Sequence, residues 1–346
     1  MKILNIGLNY QISRNQQVLK KAKNNQNSQA ISFKSIFPDA HADNQGIYAL
    51  YTISDPEFSE LKKCSTRIFR ELPSQLAIAR LLKPEEKSEI KILGSSDGSE
   101  AWAYAIAAKE AMGEKAKENV VVNGVDIAPY MVAMAKTGKI VCSDVEKKYA
   151  DRTSDSPGGK SPLKGAGWDK YLKQSSEPNN YPNLLKQYPC LKYLKYDPVA
   201  NKTIGKGFDW YEVNKEIIPS VTFKQGDMLE NLAPDKDSQA VVYVVANSAG
   251  YLLERSARSY ISLFEKIKEE NKDSKRKVYV VIGDVELKAT SDFGTKHMGL
   301  KQNELDQIRR ALKQLGYENI SQKKVRKLGV EKYDIASSKI YVLNDN

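Results

Sequence analysis

The segment SSDGSE at residues 95–100 is polar and lies between two segments of different character. EIKILG (89–94) before it is a short apolar run typical of a buried strand, and AWAYAIAAKEAM after it is alanine-rich and favours a helix. The first N–H groups of a helix carry a partial positive charge, so a strand–turn–helix unit of this kind can bind a polar ligand. We expect Gly98 and the N–H groups of this turn to face a crevice at the end of the strand.

The next apolar run, NVVVNGVDI (119–127), predicts a second buried strand that ends on Asp126. In doubly wound sheets, an acidic residue at this place accepts hydrogen bonds from ribose hydroxyls. The GxGxxG pattern of dinucleotide enzymes and the GxxxxGK[ST] pattern of phosphate-binding loops are both absent from the sequence. The turn and the acid together therefore indicate an adenosine ligand without a pyrophosphate, and S-adenosylmethionine is the cofactor that fits this description.

Strand-like and helix-like segments alternate along the rest of the chain. Further strands are predicted at 220–229, 239–247, 277–286 and 337–344. Helices are predicted at 55–82, 128–139, 250–270 and in 303–320, where the helix closes at Gly316. This alternation is typical of a parallel sheet with helices on both faces. We predict an α/β fold with a doubly wound, mostly parallel, seven-stranded sheet.

Residues 143–218 interrupt the alternation with a Gly/Pro/Ser-rich stretch and seven tyrosines. Their later part (191–213) predicts a small antiparallel subdomain around the turn-prone sequence NKTIGKG. We therefore divide the chain into four parts: an N-terminal segment (1–54), a helical region (55–88), a cofactor domain (89–142 and 219–346) and an inserted, aromatic-rich substrate subdomain (143–218).

The charge of the chain is uneven. The 346 residues contain 54 Lys+Arg and 43 Asp+Glu, a net charge of +11, yet no acid precedes Asp39. The first 38 residues are also rich in Asn and Gln and lack a sustained apolar period, so we expect a flexible basic arm. Such an arm either contacts a polyanion, meaning nucleic acid or an acidic membrane face, or is a solvated tail without a partner.

Several classes of protein are disfavoured by the composition. The chain has two histidines (His41 and His297) and three widely spaced cysteines (Cys64, Cys142 and Cys190), which argues against a metal site and a disulfide scaffold. MKILNIGLNY at the start lacks the pattern of a signal peptide, and no apolar run reaches the ~20 residues of a membrane span. We expect a cytoplasmic protein whose chemistry needs neither a metal nor an imidazole base.

Six segments, in order, resemble the CheR-type methyltransferases, which methylate glutamate side chains of chemotaxis receptors. The resemblance covers about residues 60–290 and includes the position of the insertion. The segments are STRIFRE (65–71), SSDGSEAWAYAIA (95–107), VDIAPYMVAMAKTGKI (125–140), VTFKQGDML (221–229), VANSAGYL (245–252) and IGDVE (282–286). The fold implied is the Rossmann-like class I methyltransferase fold, and the implied cofactor is S-adenosylmethionine.

The resemblance also implies roles for individual residues. Cofactor contacts fall into four groups: Thr66 beside the methionyl end; Gly98 and Glu100 at the methionine moiety; Asp126 at the ribose; Asp227 and Met228 at the adenine. Asn247 would lie beside the transferred methyl group, and Gly94, Ser96, Ile127 and Ser248 complete the implied cofactor site. The implied catalytic residues are Arg70, at the reacting carboxylate, and Tyr251, facing the substrate.

The sequence departs from the family pattern at Ser99, Ala101, Trp102, Asp227 and Ala246, and these departures put the substrate in doubt. A glutamate carboxylate, with a pKa of about 4.3, is already anionic at neutral pH and needs no base to accept a methyl group. We therefore expect methylation of a glutamate-like carboxylate on an acceptor protein. Two alternatives stay open: a methyltransferase that acts on RNA or another nucleophile, and a non-catalytic protein that binds S-adenosylmethionine.

Overall fold

The structure is a computed structural model. It describes residues 49–53, 63–66, 68, 72–143, 170–196, 208–245, 257–282, 302–330 and 339–344. The predicted basic arm and both histidines lie outside these residues.

A seven-stranded sheet forms the centre of the described fold. Its strands are β3 (Ser88–Leu93), β4 (Val120–Asp126), β9 (Ser220–Gln225), β10 (Ala240–Val244), β11 (Lys277–Ile282), β12 (Tyr317–Asn319) and β13 (Lys339–Leu343). Their order is β12-β13-β11-β10-β3-β4-β9. β13 runs antiparallel to β11 and β12, and the other pairings are parallel. The predicted doubly wound, mostly parallel seven-stranded sheet is confirmed.

Helices cover both faces of this sheet. The described helices are α1 (Leu72–Leu81), α2 (Ser99–Met112), α3 (Lys115–Asn119), α4 (Pro129–Thr137), α5 (Pro182–Gln187), α6 (Ala257–Asn271), α7 (Gln302–Gln314) and α8 (Gln322–Lys327), of which α5 belongs to the inserted segment. Apolar residues of α1, α2 and α8 pack in one buried cluster, and those of α6 and α7 pack in another with the opposite face of β10 and β11. None of the described helices is long and apolar enough to cross a bilayer.

Two predicted helices differ from the structure. Among the described residues of 55–82, the predicted helix is present as α1, whereas residues 63–66 form a strand, β2 (Lys63–Thr66), that pairs with β1 (Ala49–Ile53). The last predicted helix, expected to close at Gly316, ends at Gln314, and Tyr317–Asn319 just after it form strand β12, which was not predicted. In both places a short strand takes its conformation from pairing with a distant strand, which a local apolar period does not reveal.

The inserted segment has a different topology from the one predicted. β7 (Leu194–Tyr196) pairs with β1, and β8 (Phe208–Val213) pairs with β5 (Lys139–Ser143) and β6 (Leu172–Gln174). These pairs are antiparallel, as predicted, but β7 and β8, which flank NKTIGKG, do not pair with each other. NKTIGKG itself lies outside the described residues. The buried Tyr171 donates its hydroxyl proton to Glu110 of α2, which fastens the insertion to the main body.

Candidate functional site

The loop between β3 and α2 has an unusual backbone. Gly94 (φ 85°), Ser96 (φ 49°) and Gly98 (φ 83°) all adopt positive φ. A Cβ on Gly98 would lie 2.7 Å from Cζ of Phe223 and 2.8 Å from Cβ of Ala135, so only glycine fits there. Ser96 has no such freedom, and a left-handed residue with a side chain costs about 1–3 kcal/mol. This loop is held in a strained form by its surroundings.

Hydrogen bonds fix the loop against the next strand. The N–H groups of Gly94 and Ser95 donate to the carbonyl of Val125 at 2.8 and 2.9 Å. The N–H of Ser96 donates to Oδ2 of Asp126 at 2.7 Å, and the N–H of Ser99 donates to Oδ1 of Asp97 at 2.9 Å. The expectation that the N–H groups of the turn at 95–100 face a crevice is therefore wrong for Ser95, Ser96 and Ser99, because their N–H groups hold the loop in place.

Asp126 lies at the carboxyl end of β4 with both carboxylate oxygens engaged. Oδ2 accepts from Ser96 and Oδ1 accepts from the N–H of Ala128 at 2.9 Å. The side chain is half-buried, and burial raises the pKa of Asp126 above its usual value, although these backbone N–H groups oppose the shift. Each carboxylate oxygen has two lone pairs, so acceptor positions remain for two hydroxyl groups.

The next residue offers a different kind of contact. Ile127 is 56% exposed, which is unusual for a large apolar side chain beside a buried strand end. It lies in the chain between the carboxylate of Asp126 and the buried Ala128. The carboxylate of Asp126 is complementary to a pair of ribose hydroxyls, and the aliphatic side chain of Ile127 is complementary to a flat, apolar ring.

A third loop, after β9, meets the end of β4. The N–H of Gly226 donates to the carbonyl of Asp126 at 2.9 Å, and Nε2 of Gln225 donates to the carbonyl of Ile127 at 3.3 Å. Asp227, exposed, accepts from the N–H of Leu229 at 2.8 Å and caps a short 3-10 helix (Met228–Glu230). The structure therefore brings the predicted residues Gly94, Ser96, Gly98, Asp126, Ile127, Asp227 and Met228 to neighbouring loops at one edge of the sheet.

The position of these loops follows from the strand order. β3 lies between β4 and β10, so the chain proceeds from β3 to one side of the sheet and later returns to the other side. The carboxyl end of β3 is therefore a topological switch point, which is where ligands bind in open α/β sheets.

Buried polar atoms without a partner accompany the loop. Oγ of Ser95, Oγ of Ser99 and Nε1 of Trp102 have no hydrogen-bond partner in the part of the chain that the structure describes. Each side chain is at most 3% exposed. Glu100, the second residue of α2, is also buried, at 7% exposure. Backbone strain and buried polar groups without partners are concentrated at functional sites in proteins. Their presence here therefore supports a ligand site at this loop.

The acceptor side of the predicted site is not described. Arg70, Asn247, Ser248 and Tyr251 lie outside the described residues. Thr66 is the last residue of β2, where its backbone faces Ala49 of β1. The roles of these five residues in the site stay predictions.

Phe223 is the site residue that sequence reasoning missed. Its ring lies under both Gly98 and Gly124, where an added Cβ would approach ring atoms to 2.9 Å or less, and packs 5.4 Å from the ring of Trp102. The available signal was the pair of glycines, because small residues on two neighbouring elements indicate that a bulky side chain lies against them.

Comparison with solved structures finds methyltransferases at low identity. A ribosomal protein L11 methylase of Lactobacillus delbrueckii subsp. bulgaricus is 10% identical over 79% of this chain and 79% of that one, with a TM-score of 0.32. A precorrin-6y C5,15-methyltransferase of Geobacter metallireducens is 11% identical over 80% and 89%, also at 0.32. An N,N-8-amino-8-demethyl-D-riboflavin dimethyltransferase of Streptomyces davawensis is 10% identical over 79% and 55%, at 0.35.

No protein-family model and no curated protein matches the sequence. Identities near 10% with TM-scores below 0.5 bear on neither the reaction nor the substrate of this chain. The function is therefore argued from the loops at the end of β3, β4 and β9.

Proposed function

We propose that the chain is an S-adenosylmethionine-dependent methyltransferase. One observation carries the proposal: Asp126 reaches across from β4 to the N–H of Ser96, 30 residues earlier, and so lies beside the strained loop at the switch point. A carboxylate there can accept the two ribose hydroxyls of an adenosine ligand. The neighbouring Ile127 is exposed and can pack on the adenine ring.

The described residues fit such a cofactor. Asp126 would hold the ribose, Ile127 and Met228 would contact the adenine, and the loop from Gly94 to Glu100 would border the methionine moiety. Bound S-adenosylmethionine supplies an electrophilic methyl group that a nucleophile takes by in-line displacement. The protein contributes by aligning the two reactants and excluding water. This alignment can lower the activation barrier substantially without any proton transfer.

A glutamate-like carboxylate on an acceptor protein is the substrate we favour. Its support is the resemblance to CheR-type methyltransferases and the scarcity of histidine: the whole chain has two, neither of them within the described residues. A carboxylate attacks in its resting ionisation state, whereas an amine must first lose a proton. In this proposal Arg70 positions the reacting carboxylate and Tyr251 faces the substrate.

Isothermal titration with S-adenosylhomocysteine tests the cofactor. Wild-type protein should bind it, and Asp126→Ala should weaken binding at least tenfold because the ribose contacts are lost. Asp237→Ala is the matched control, since that carboxylate is 76% exposed and pairs only loosely with Lys87. Absence of binding by the wild type, or equal affinity in Asp126→Ala, would contradict the proposal.

Incubation with radiolabelled S-adenosylmethionine and fractionated lysate tests the acceptor. A base-labile label on protein supports a methyl ester and hence a carboxylate acceptor. A base-stable label, or label on RNA, rules that acceptor out but retains the methyltransferase. No transfer to any fraction, with cofactor binding intact, identifies a non-catalytic binding protein.

A further inference from the structure

Helix α8 is the most strongly basic element of the described fold. Its six residues, QKKVRK, include Lys323, Lys324, Arg326 and Lys327, all four exposed, while Val325 is buried at 2% exposure. Val325 packs with residues of α1 in the apolar cluster on that face of the sheet. The apolar anchor turns the helix so that four cations project together into solvent.

These four cations have no ion-pair partner among the described residues, whereas some cations on other surface helices do. Lys115 lies 2.6 Å from Glu118, and Arg258 lies 2.7 Å from Glu265. No acidic side chain of the described part of the chain lies within ion-pair distance of a cation of α8. Among the described residues, nothing neutralises the positive charge of this helix.

The arrangement is unfavourable for the helix itself. Lys323 is followed by cations at both i+3 and i+4, and like charges at those spacings destabilise a helix. The first turn contains Lys323 and Lys324 and no acid, although the positive end of the helix dipole favours acids there. Helix stability therefore does not explain this sequence, whereas a polyanion bound along the exposed side would relieve the repulsion.

Arg80 extends the same surface. Its Nη1 donates to the carbonyl of Leu328, just after α8, at 2.7 Å, and a Cβ on Gly329 would lie 3.0 Å from that atom. No carboxylate of the described residues pairs with this guanidinium, and half-burial lowers the pKa of Arg80. A guanidinium has five N–H donors, and most of those of Arg80 have no acceptor among the described residues. The basic surface is thus defined by Arg80, Lys323, Lys324, Arg326 and Lys327.

The chemistry of this surface favours a nucleic acid over a membrane. Amphipathic helices that bind lipid insert exposed apolar side chains, and α8 has none, because its one apolar residue is buried. Neither large apolar residue exposed in the described fold, Val121 or Ile127, belongs to α8. Lysine and arginine without apolar neighbours are suited to phosphodiester oxygens.

We propose that the basic surface of α8 and Arg80 binds the phosphodiester backbone of a nucleic acid. The proposal stands apart from methyl transfer, because none of these residues belongs to the candidate cofactor site. β12, which leads into α8, runs parallel to β11, so the basic surface begins at the same edge of the sheet as the candidate cofactor site. The two lie at opposite parts of that edge, since β12 is the last strand on its side.

Fluorescence anisotropy of the full chain with labelled single-stranded RNA and duplex DNA, across a series of salt concentrations, tests the proposal. The test variant replaces Lys323, Lys324, Arg326 and Lys327 with Gln. Its affinity should fall at least tenfold at physiological salt, and its slope of log affinity against log salt should shrink by about 3, since each lost phosphate contact removes roughly 0.7–0.9. The polymer that binds more tightly identifies the source of the phosphates.

The matched control replaces four exposed lysines that are spread over other elements, Lys117, Lys236, Lys266 and Lys275, with Gln, which makes the same change in net charge. It should retain wild-type affinity within about threefold. A third variant, Lys323→Arg/Lys324→Arg/Lys327→Arg, keeps the charge and should retain binding. Thermal unfolding of each variant reports whether the fold is intact.

Three outcomes overturn the proposal. In the first, the scattered control weakens binding as much as the α8 variant, so net charge alone drives association. In the second, the wild type binds neither polymer. In the third, anionic phospholipid vesicles bind through α8 and neither nucleic acid does.

Discussion

The N–H of Ser96 and Oδ2 of Asp126 form a 2.7 Å hydrogen bond that joins the loop after the first central strand to the end of the second. The side chain of Asp126 therefore fixes the loop, and its remaining lone pairs are those that we propose accept hydrogen bonds from the ribose hydroxyls. Since the loop rests on Phe223 and contains three residues with positive φ, its conformation depends on contacts with β4 and β9.

Gly98→Ala should destabilise the fold by about 2–5 kcal/mol. About 1–2 kcal/mol comes from placing a side chain in the left-handed region, and about 1–3 kcal/mol from overpacking against Phe223 and Ala135. Gly138→Ala is the control, because Gly138 (φ 75°) has the same conformation but faces only the flexible end of Lys215. It should cost about 1–2 kcal/mol. Urea unfolding measures both, and equal losses would show that the contact with Phe223 is unimportant.

On acidification, cofactor binding should begin to weaken at a higher pH than it would if Asp126 had the pKa of an ordinary aspartate. Burial raises the pKa of Asp126 above 3.8, so the carboxyl group protonates earlier on acidification and stops accepting from a ribose hydroxyl. The affinity for S-adenosylhomocysteine should then fall by at most about tenfold per pH unit below that pKa. Asp126→Asn, which cannot titrate, should bind weakly at every pH and lack this dependence.

Stability responds in the opposite direction. Because the folded state holds the Asp126 proton more tightly than the unfolded state, the unfavourable contribution of the buried charge fades as the pH falls through the raised pKa, and it stops changing below 3.8. The difference in unfolding free energy between wild type and Asp126→Asn should follow this trend. A difference that stays constant from neutral pH to 3.8 would mean that the folded and unfolded pKa values are equal.

Lys91→Met should destabilise the protein by about 3–5 kcal/mol, as expected when one partner of a buried ion pair is removed. Nζ of Lys91 lies 2.9 Å from Glu89, and the two side chains are 9% and 4% exposed. Without Lys91, the Glu89 carboxylate keeps only its bonds from Asn123 and from the N–H of Asp235.

A similar ion pair on the surface provides the control. Lys87 and Asp237 are 3.7 Å apart and 63% and 76% exposed, so Lys87→Met should change stability by about 0.5 kcal/mol or less. Adding Glu89→Gln to Lys91→Met should recover part of the loss, because it removes the isolated charge. Chemical denaturation of all three variants measures the losses in unfolding free energy. A loss for Lys91→Met no larger than that for Lys87→Met would contradict the prediction.

The local sequence pattern was sufficient to predict the strands at the centre of the sheet. The apolar runs at 89–94 and 119–127 became β3 and β4, and the position of Asp126 at a strand end followed from them. Strand pairing between segments far apart in the chain could not be predicted from the sequence: β7 pairs with β1, more than 140 residues earlier, rather than with the neighbouring β8. No local period encodes such a partner, because the choice depends on packing that only the assembled chain provides.

The candidate site was predictable in its composition and not in its hydrogen bonding. The glycine, the loop and the acid follow from spacing, whereas the use of the Ser96 N–H by Asp126 depends on the left-handed φ of Ser96. A serine is not expected in that conformation, so no sequence rule indicates it. The ring of Phe223 beneath Gly98 and Gly124 likewise depends on the register between β4 and β9.

Tyr181 should ionise near neutral pH. Hydrogen bonds with Ser175 and Ser176, together with the ammonium of Lys139 at 3.8 Å from the ring centre, lower the pKa of Tyr181 to about 8. Ultraviolet absorbance should therefore show one phenolate forming around pH 8, and Tyr181→Phe should remove this step. Tyr188→Phe, a change in the same insertion, should leave it in place, and Lys139→Met should move it toward 10.

The same shift makes the stability of the protein depend on pH. Because the folded state releases the Tyr181 proton more readily than the unfolded state, the phenolate contributes stability that is fully present above pH 10 and is lost as the pH falls through about 8. Wild type should therefore gain unfolding free energy relative to Tyr181→Phe between pH 8 and 10. Parallel stability curves for the two proteins over that interval would show that Lys139 and the two serines do not favour the phenolate.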